Sequence, residues 1–134
     1  MHKDEALVLL RNNFSNGEEL IGFFSAQRPF KIWLIFLIGP LAVFSMKSYI
    51  IAVTDKGMHF QALNLIGKFA QYDFFDYNQI ESCSISKGIL QMPMKYKFSS
   101  GRKLKVKALK KGRESLAKIN DETLDFIKKH IKQT

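Results

Sequence analysis

Between residues 94 and 108 the chain alternates with period two on both sides of a glycine-containing turn, and this pattern commits the stretch to a β-hairpin. Met94, Tyr96 and Phe98 alternate with Lys95 and Lys97; after Ser99-Ser100-Gly101, Leu104, Val106 and Ala108 alternate with Lys103, Lys105 and Lys107. With Gly101 in the positive-φ place of a three-residue loop, Phe98 faces Arg102, Lys97 faces Lys103 and Lys95 faces Lys105. The apolar sets then share one face and the lysines the other. Like charges set directly opposite cost a few tenths of a kcal/mol or more per pair unless something anionic screens them. Lys95, Lys97, Lys103, Lys105 and Lys107, with Arg102 at the turn, are therefore the candidate binding residues. An anionic lipid surface or an acidic protein is the partner they imply.

The net charge of +9 is concentrated there: residues 82–113 hold ten Lys or Arg and no Asp or Glu, so the remainder nets −1. A one-sign patch steers anionic ligands and membranes towards itself, although many basic faces only keep a protein soluble. A composition of 46% hydrophobic and 25% charged residues over 134 positions is that of one globular domain, 1–134, with enough apolar mass for its own core. Cys83 is the sole cysteine, so no intrachain disulfide forms. A reducing cytoplasm is the simplest compartment, with peripheral attachment to the inner membrane face as an extension of it. Met1-His2-Lys3-Asp4-Glu5 carries acids and has no secretory apolar core beside it. In the strand around it, Cys83 reads as a small packed side chain rather than a reactive thiol.

Taken in order, the chain opens with a 1–16 helical extension, in which Leu7, Leu10 and Phe14 have helical spacing over residues 3–14 and Asn16-Gly17 stops the helix. Residues 18–25 form a first strand with apolar groups on both faces, so it is to be covered twice, or on one side by the segment that follows it. Residues 28–47 are an insertion between the first two strands. Its 32–46 portion holds fifteen residues without a charge, interrupted by Gly39-Pro40. As a helix it would span roughly 22 Å, short of the hydrocarbon core, and Pro40 would break it. Ile32, Trp33, Leu34, Phe36, Leu37, Leu41 and Phe44 thus make a buried arm, an interface for a homo-oligomer, or a wedge at a membrane.

Residues 48–63 are a second hairpin around Thr54-Asp55-Lys56-Gly57, and 68–76, rich in Phe69, Tyr72, Phe74 and Phe75, is the next strand. Strands at 79–86, 89–98 and 102–109 bring the total to seven. Pro93 favours an edge position or a bulge for its strand. In residues 113–132, Leu116, Ile119, Leu124, Phe126, Ile127 and Ile131 fall within an arc about 160° wide, which predicts one amphipathic packing helix. Asn120-Asp121 offers a new start inside it, but the stripe keeps phase across that point.

Seven strands followed by a C-terminal amphipathic helix is the order of a pleckstrin-homology-like barrel. The runs Lys47-Ser48-Tyr49-Ile50-Ile51-Ala52-Val53-Thr54-Asp55-Lys56-Gly57, Tyr77-Asn78-Gln79-Ile80-Glu81-Ser82 and Lys87-Gly88-Ile89-Leu90 resemble the bacterial PH-like domain families, including the YokE-like group, from about residue 18 onward. The resemblance implies a mainly β fold: two near-orthogonal antiparallel sheets of seven strands in all, capped by the C-terminal helix, with a short N-terminal helix beside them. It implies a binding or scaffold module rather than an enzyme, with no general ligand. Phosphoinositide-binding members of the wider superfamily carry a Lys-x(n)-Lys/Arg-x-Arg pattern between the first two strands. This chain has Arg28 and Lys31 followed by an apolar run, so that specificity does not carry over.

The residues offer no catalytic, cofactor or metal constellation. His2, His59 and His130 lack metal-site spacing, and the latter two read as satisfied structural histidines. Asp73 and Asp76 fall on opposite faces of a strand, which defeats a paired-carboxylate reading. The glycines form no phosphate-binding fingerprint. A pI near 9.7 makes sequence-independent nucleic-acid binding a rival. Against it, Tyr96 and Phe98 sit on the apolar face, so the lysine face has no stacking platform.

Overall fold

The computed structural model of the chain describes residues 3–28, 48–63, 69–112, 114 and 116–134. Helix α1 (Lys3–Arg11) precedes seven strands: β1 (Leu20–Gln27), β2 (Ser48–Thr54), β3 (Gly57–Leu63), β4 (Phe69–Asp76), β5 (Ile80–Ile85), β6 (Gln91–Phe98) and β7 (Lys103–Leu109). A 3-10 turn, Tyr77–Gln79, joins β4 to β5, and helix α2 (Asp121–His130) follows β7. The strand order is β4-β3-β2-β1-β7-β6-β5, with every neighbouring pair antiparallel.

Two meanders, β1–β4 and β5–β7, are joined among the described strands by the pairs Ala26↔Ala108 and Gln27↔Lys107. That junction makes one hydrogen-bonded sheet of the two that were expected. The inner faces of the halves close on each other nonetheless. Phe60 of β3 meets Tyr96 and Phe98 of β6 edge to face, with ring centroids 5.6 and 5.9 Å apart, and Phe75 of β4 stacks on Phe98 at 4.2 Å. Around these rings lie Phe24, Ile51, Val53, Met58 and Val106, all buried. Each comes from the strand face opposite a polar or second-layer residue, as period-two alternation requires.

The first strand is covered twice, as its composition demanded. Phe24 enters the main core, while Leu20 and Phe23 point the other way and pack with Ile50 and Ala52 beneath Ala6 and Leu10 of α1. Helix α1 ends at Arg11, three residues short of the predicted limit, because Asn13 and Phe14 already turn back with hydrogen bonds to Leu10 and Arg11.

The single helix expected over 113–132 is not formed. Helix α2 begins at Asp121, with Asn120 as its N-cap: the side-chain oxygen accepts from the Thr123 amide at 2.8 Å. The preceding residues 116–119 lie on the strands instead. The Ser25 amide donates to the Ala117 carbonyl and the Ile119 amide to the Leu109 carbonyl, which buries Ala117 and Ile119. Ile119, Leu124, Phe126, Ile127 and Ile131 of the stripe do face the core, but two conformations place them there. Thr123, Ile127 and Ile131 then close the end of the sheet, and Thr123 sits directly over Gly22 of β1.

Strand β6 is interior, between β5 and β7, where Pro93 had suggested an edge. Pro93 is nonetheless at a local edge. β5 ends at Ile85, opposite Met94, and just beyond it the Pro93 carbonyl accepts from the Ser86 amide at 2.9 Å, so the missing proline N–H removes only the return bond of the last pair.

Candidate functional site

The hairpin register matches the expectation residue for residue: Lys97↔Lys103 and Lys95↔Lys105, with Pro93↔Lys107 next. The Phe98 amide donates to the Arg102 carbonyl at 2.9 Å, and Gly101 takes φ +92°. Met94, Tyr96, Phe98, Leu104, Val106 and Ala108 are all buried. Lys95, Arg102, Lys103, Lys105 and Lys107 are exposed on the opposite side, and Lys97 is half-buried.

Strand β5 widens this face. Its register sets Ser82 beside Lys97 and Ser84 beside Lys95. The C-terminal segment then lies along β5 in a parallel bridge, with the Cys83 amide donating to the Lys132 carbonyl at 2.9 Å and the Thr134 amide to the Cys83 carbonyl at 3.2 Å. The result is a depression of about 370 Å³ whose lining includes Lys95, Lys97, Lys103 and Lys132, with Ser82 and Ser84 as hydroxyl donors. Sequence reasoning missed Lys132 and both serines, because nothing local signals that a C-terminal segment pairs with β5. Among the described residues, two cations of the candidate set have carboxylate partners. Lys97 lies 3.4 Å from Glu81, and Arg102 lies 3.5 Å from Asp73.

A family model described as "Bacterial PH domain" matches residues 1–122. The chain belongs to the bacterial PH domain family. Among solved structures, "The hSac2 domain from human phosphoinositide phosphatase Sac2" resembles this PH domain with a TM-score of 0.55 and 11% identity, over 97% of this chain and 81% of that one. At that identity the likeness concerns the fold alone. No curated protein matches the sequence.

Among the described residues of this PH domain, no buried side-chain nitrogen or oxygen lacks a hydrogen-bond partner. His59, on the outer face of β3, is held by Glu18 and Tyr72: its Nε2 lies 2.6 Å from Glu18 Oε2 and its Nδ1 2.6 Å from the Tyr72 hydroxyl. A carboxylate only accepts, so Nε2 carries a proton. Thr54 Oγ1 also donates to Glu18 Oε2, and the Ser15 amide to Oε1. Burial pushes the Glu18 carboxyl up, but the hydrogen bonds from His59, Thr54 and Ser15 outweigh it and hold the group below its ordinary value. Burial, reinforced by the Glu18 and Asp73 charges, raises the Tyr72 hydroxyl to about 12. The rings of Phe14 and Phe74 lie 4.7 and 4.6 Å from the imidazole, and the Glu18 and His59 side chains are each 1% exposed. The pair is enclosed from solvent. It fastens the segment after α1 to β3 and β4.

Asp76 caps the 3-10 turn, accepting from the Asn78 and Gln79 amides, while Asp73 pairs with Arg102, so the two carboxylates serve separate ends. Cys83 is fully buried, and burial raises its thiol to about 12, partly offset by a hydrogen bond with Tyr96. His130 is exposed, stacked on Phe126 at 3.9 Å with Nδ1 donating to the Phe126 carbonyl. Among the described residues, no group of three His, Cys, Asp or Glu side chains is arranged to hold a metal, and no helix is long and apolar enough to cross a membrane. The interface candidates Ile32, Trp33, Leu34, Phe36, Leu37, Leu41 and Phe44 lie outside the described residues.

Proposed function

We propose that this PH domain is a non-enzymatic binding module that docks on a polyanionic surface through the outer face of β5–β7. The observation that carries this reading is the in-register ladder, which sets Lys95 against Lys105 and Lys97 against Lys103 with Lys107 and Lys132 alongside. Among the described residues, Lys97 alone of these six lysines has a carboxylate partner. The ladder loses stability through its own repulsion, and an apposed anionic surface removes that cost. Each lysine near such a surface contributes on the order of 1 kcal/mol, additively enough for several to give useful but salt-sensitive affinity. Nucleic acid fits less well, since Tyr96 and Phe98 are wholly enclosed in the core and offer no base a stacking surface.

Three probes test the reading across a salt series: poly-L-glutamate, vesicles containing phosphatidylglycerol, and duplex DNA. The wild-type protein is expected to bind poly-L-glutamate or the vesicles at low salt, and to release them as salt rises. The combined variant Lys95→Gln, Lys97→Gln, Lys103→Gln, Lys105→Gln should lose most of that binding while melting no lower than wild type. Binding that ignores both salt and the substitutions, or no binding to any of the three, overturns the reading.

A further inference from the structure

Followed away from the β6–β7 turn, the basic face changes character. The pairs Lys97↔Lys103, Lys95↔Lys105, Pro93↔Lys107 and Gln91↔Leu109 carry it, at about 3.4 Å per residue, roughly 20 Å towards the β5–β6 turn. There Ile89 and Leu90 are 76% and 63% exposed. Beside them is an open hollow of about 730 Å³, lined by Ile89, Leu90, Pro93 and Leu109 together with Lys107 and Lys111.

This apolar pair is held outward by a fixed turn. A Cβ on Gly88 would lie 1.7 Å from the Gln91 carbonyl oxygen, so the chain folds back here only because position 88 has no side chain. The Leu90 carbonyl accepts from the Lys110 amide at 2.9 Å and the Lys111 amide at 3.2 Å, and Lys110 Nζ reaches the Gly88 carbonyl at 3.5 Å. The pair therefore stands among Lys87, Lys107, Lys110 and Lys111, in a stretch (82–113) that has no acid at all. Among the described residues, the other exposed aliphatic pair, Val8 and Leu9 on α1, shares its helix with as many acids as bases.

We propose that the Ile89-Leu90 turn is a membrane wedge, and that the polyanionic surface met by this domain is an acidic lipid bilayer. An anionic layer with an apolar layer directly beneath it is the complement of an apolar tip surrounded by cations. The type of cation agrees with this. From residue 82 to 113 the basic residues are lysines except for Arg102 and Arg113, point charges suited to a diffuse phosphate layer rather than planar forks suited to paired carboxylates. Ile89 and Leu90 enter the boundary between headgroups and acyl chains, Lys87, Lys107, Lys110 and Lys111 sit at the phosphates, and the ladder leans onto the surrounding headgroups. The inference rests on the electrostatic docking proposed above and adds its partner and its orientation.

Salt separates the two contributions, because the ladder's attraction is screened and the wedge's apolar transfer is not. On phosphatidylglycerol-containing vesicles, the variant Ile89→Ser, Leu90→Ser should partition roughly tenfold or more weakly than wild type at every salt concentration. Both positions are exposed, so its melting temperature should be unchanged. A Leu90→Cys protein carrying an environment-sensitive thiol dye should shift its emission to the blue on these vesicles and be quenched by brominated acyl chains. Cys83 is enclosed and its thiol raised to about 12, which leaves position 90 as the site of labelling. The wedge is overturned if the serine variant binds as wild type does and the dye does not respond; lysine-dependent binding then leaves the docking reading standing. Binding to poly-L-glutamate without binding to vesicles also refutes the wedge alone. No binding to any polyanion refutes both.

Discussion

Replacing Glu18 by Gln keeps the shape of the side chain and removes only its charge, which isolates the contribution of the buried pair. In the wild-type fold Oε2 accepts from two donors, His59 Nε2 at 2.6 Å and Thr54 Oγ1 at 2.5 Å, and Oε1 accepts from the Ser15 amide at 2.8 Å. Whichever position the Gln nitrogen takes, it faces a donor. The Thr54 hydroxyl has an alternative acceptor in the Gly57 carbonyl at 3.2 Å, and Ser15 is exposed, so the loss falls on the His59 bond, which either loses its acceptor or keeps one that no longer carries a charge. A hydrogen bond to a charged acceptor contributes about 1.5–3 kcal/mol, and that is the expected loss for Glu18→Gln at neutral pH. Glu18→Ala, which also opens a gap beside His59 and Thr54, should cost more, about 3–5 kcal/mol, or roughly 10 °C or more in melting temperature. The folded-state carboxyl lies below its ordinary value of 4.5, so its contribution is complete above about pH 4.5 and disappears as the pH falls through the lower folded value. Urea unfolding of wild type and Glu18→Gln, followed by circular dichroism across that window, should therefore show a stability gap that closes on acidification. Glu19→Gln, one residue away and exposed, serves as control. A gap smaller than about 0.5 kcal/mol at neutral pH, or one that stays constant as the acid is titrated, would refute the account of the pair.

Gly22→Ala should destabilise the domain by about 1–3 kcal/mol, because the new Cβ would lie 1.9 Å from Thr123 Oγ1 and push α2 off β1. Adding Thr123→Ala should recover part of that loss in thermal melts, whereas strictly additive costs would mean the clash is not the cause. Asn120→Ala should cost about 1 kcal/mol through loss of the α2 N-cap; no loss in a denaturant titration would favour a helix running through this position instead.

The lysine hairpin was legible in full because its signal is local. Alternation fixes which side chains share a face, and a three-residue loop ending in Gly101 fixes the register, so Lys95↔Lys105 needed no knowledge of the rest of the molecule. Pro93 was legible only in part. Its missing donor signals an edge or a bulge, but where β5 stops is set by β5 itself. The C-terminal stripe misled for a different reason. Leu116 and Ile119 have helical phase with Leu124 and Ile127, yet the extended 116–119 segment finds backbone partners on Ser25 and Leu109, distant positions that a helical wheel does not see. The wedge was hidden in a similar way, for Ile89-Leu90 reads as the start of a strand until the turn at Gly88 shows both side chains outside it.

What the sequence by itself determined is therefore the succession of seven strands along the chain, the split between apolar and basic faces of the hairpin, the need to cover both faces of β1 and the packed character of Cys83. All follow from short-range periodicity and composition, whose physical basis is the two-residue repeat of the pleat and the cost of leaving apolar area in water. Only the tertiary structure decided that the two meanders share one sheet through Ala26↔Ala108, that Glu18 reaches across to His59, and that Lys132 and Ser84 join the basic face. Each of these is a contact between residues far apart in the chain. Such contacts depend on how the elements dock, because hydrogen bonding and burial reward any of many pairings until the whole core selects one.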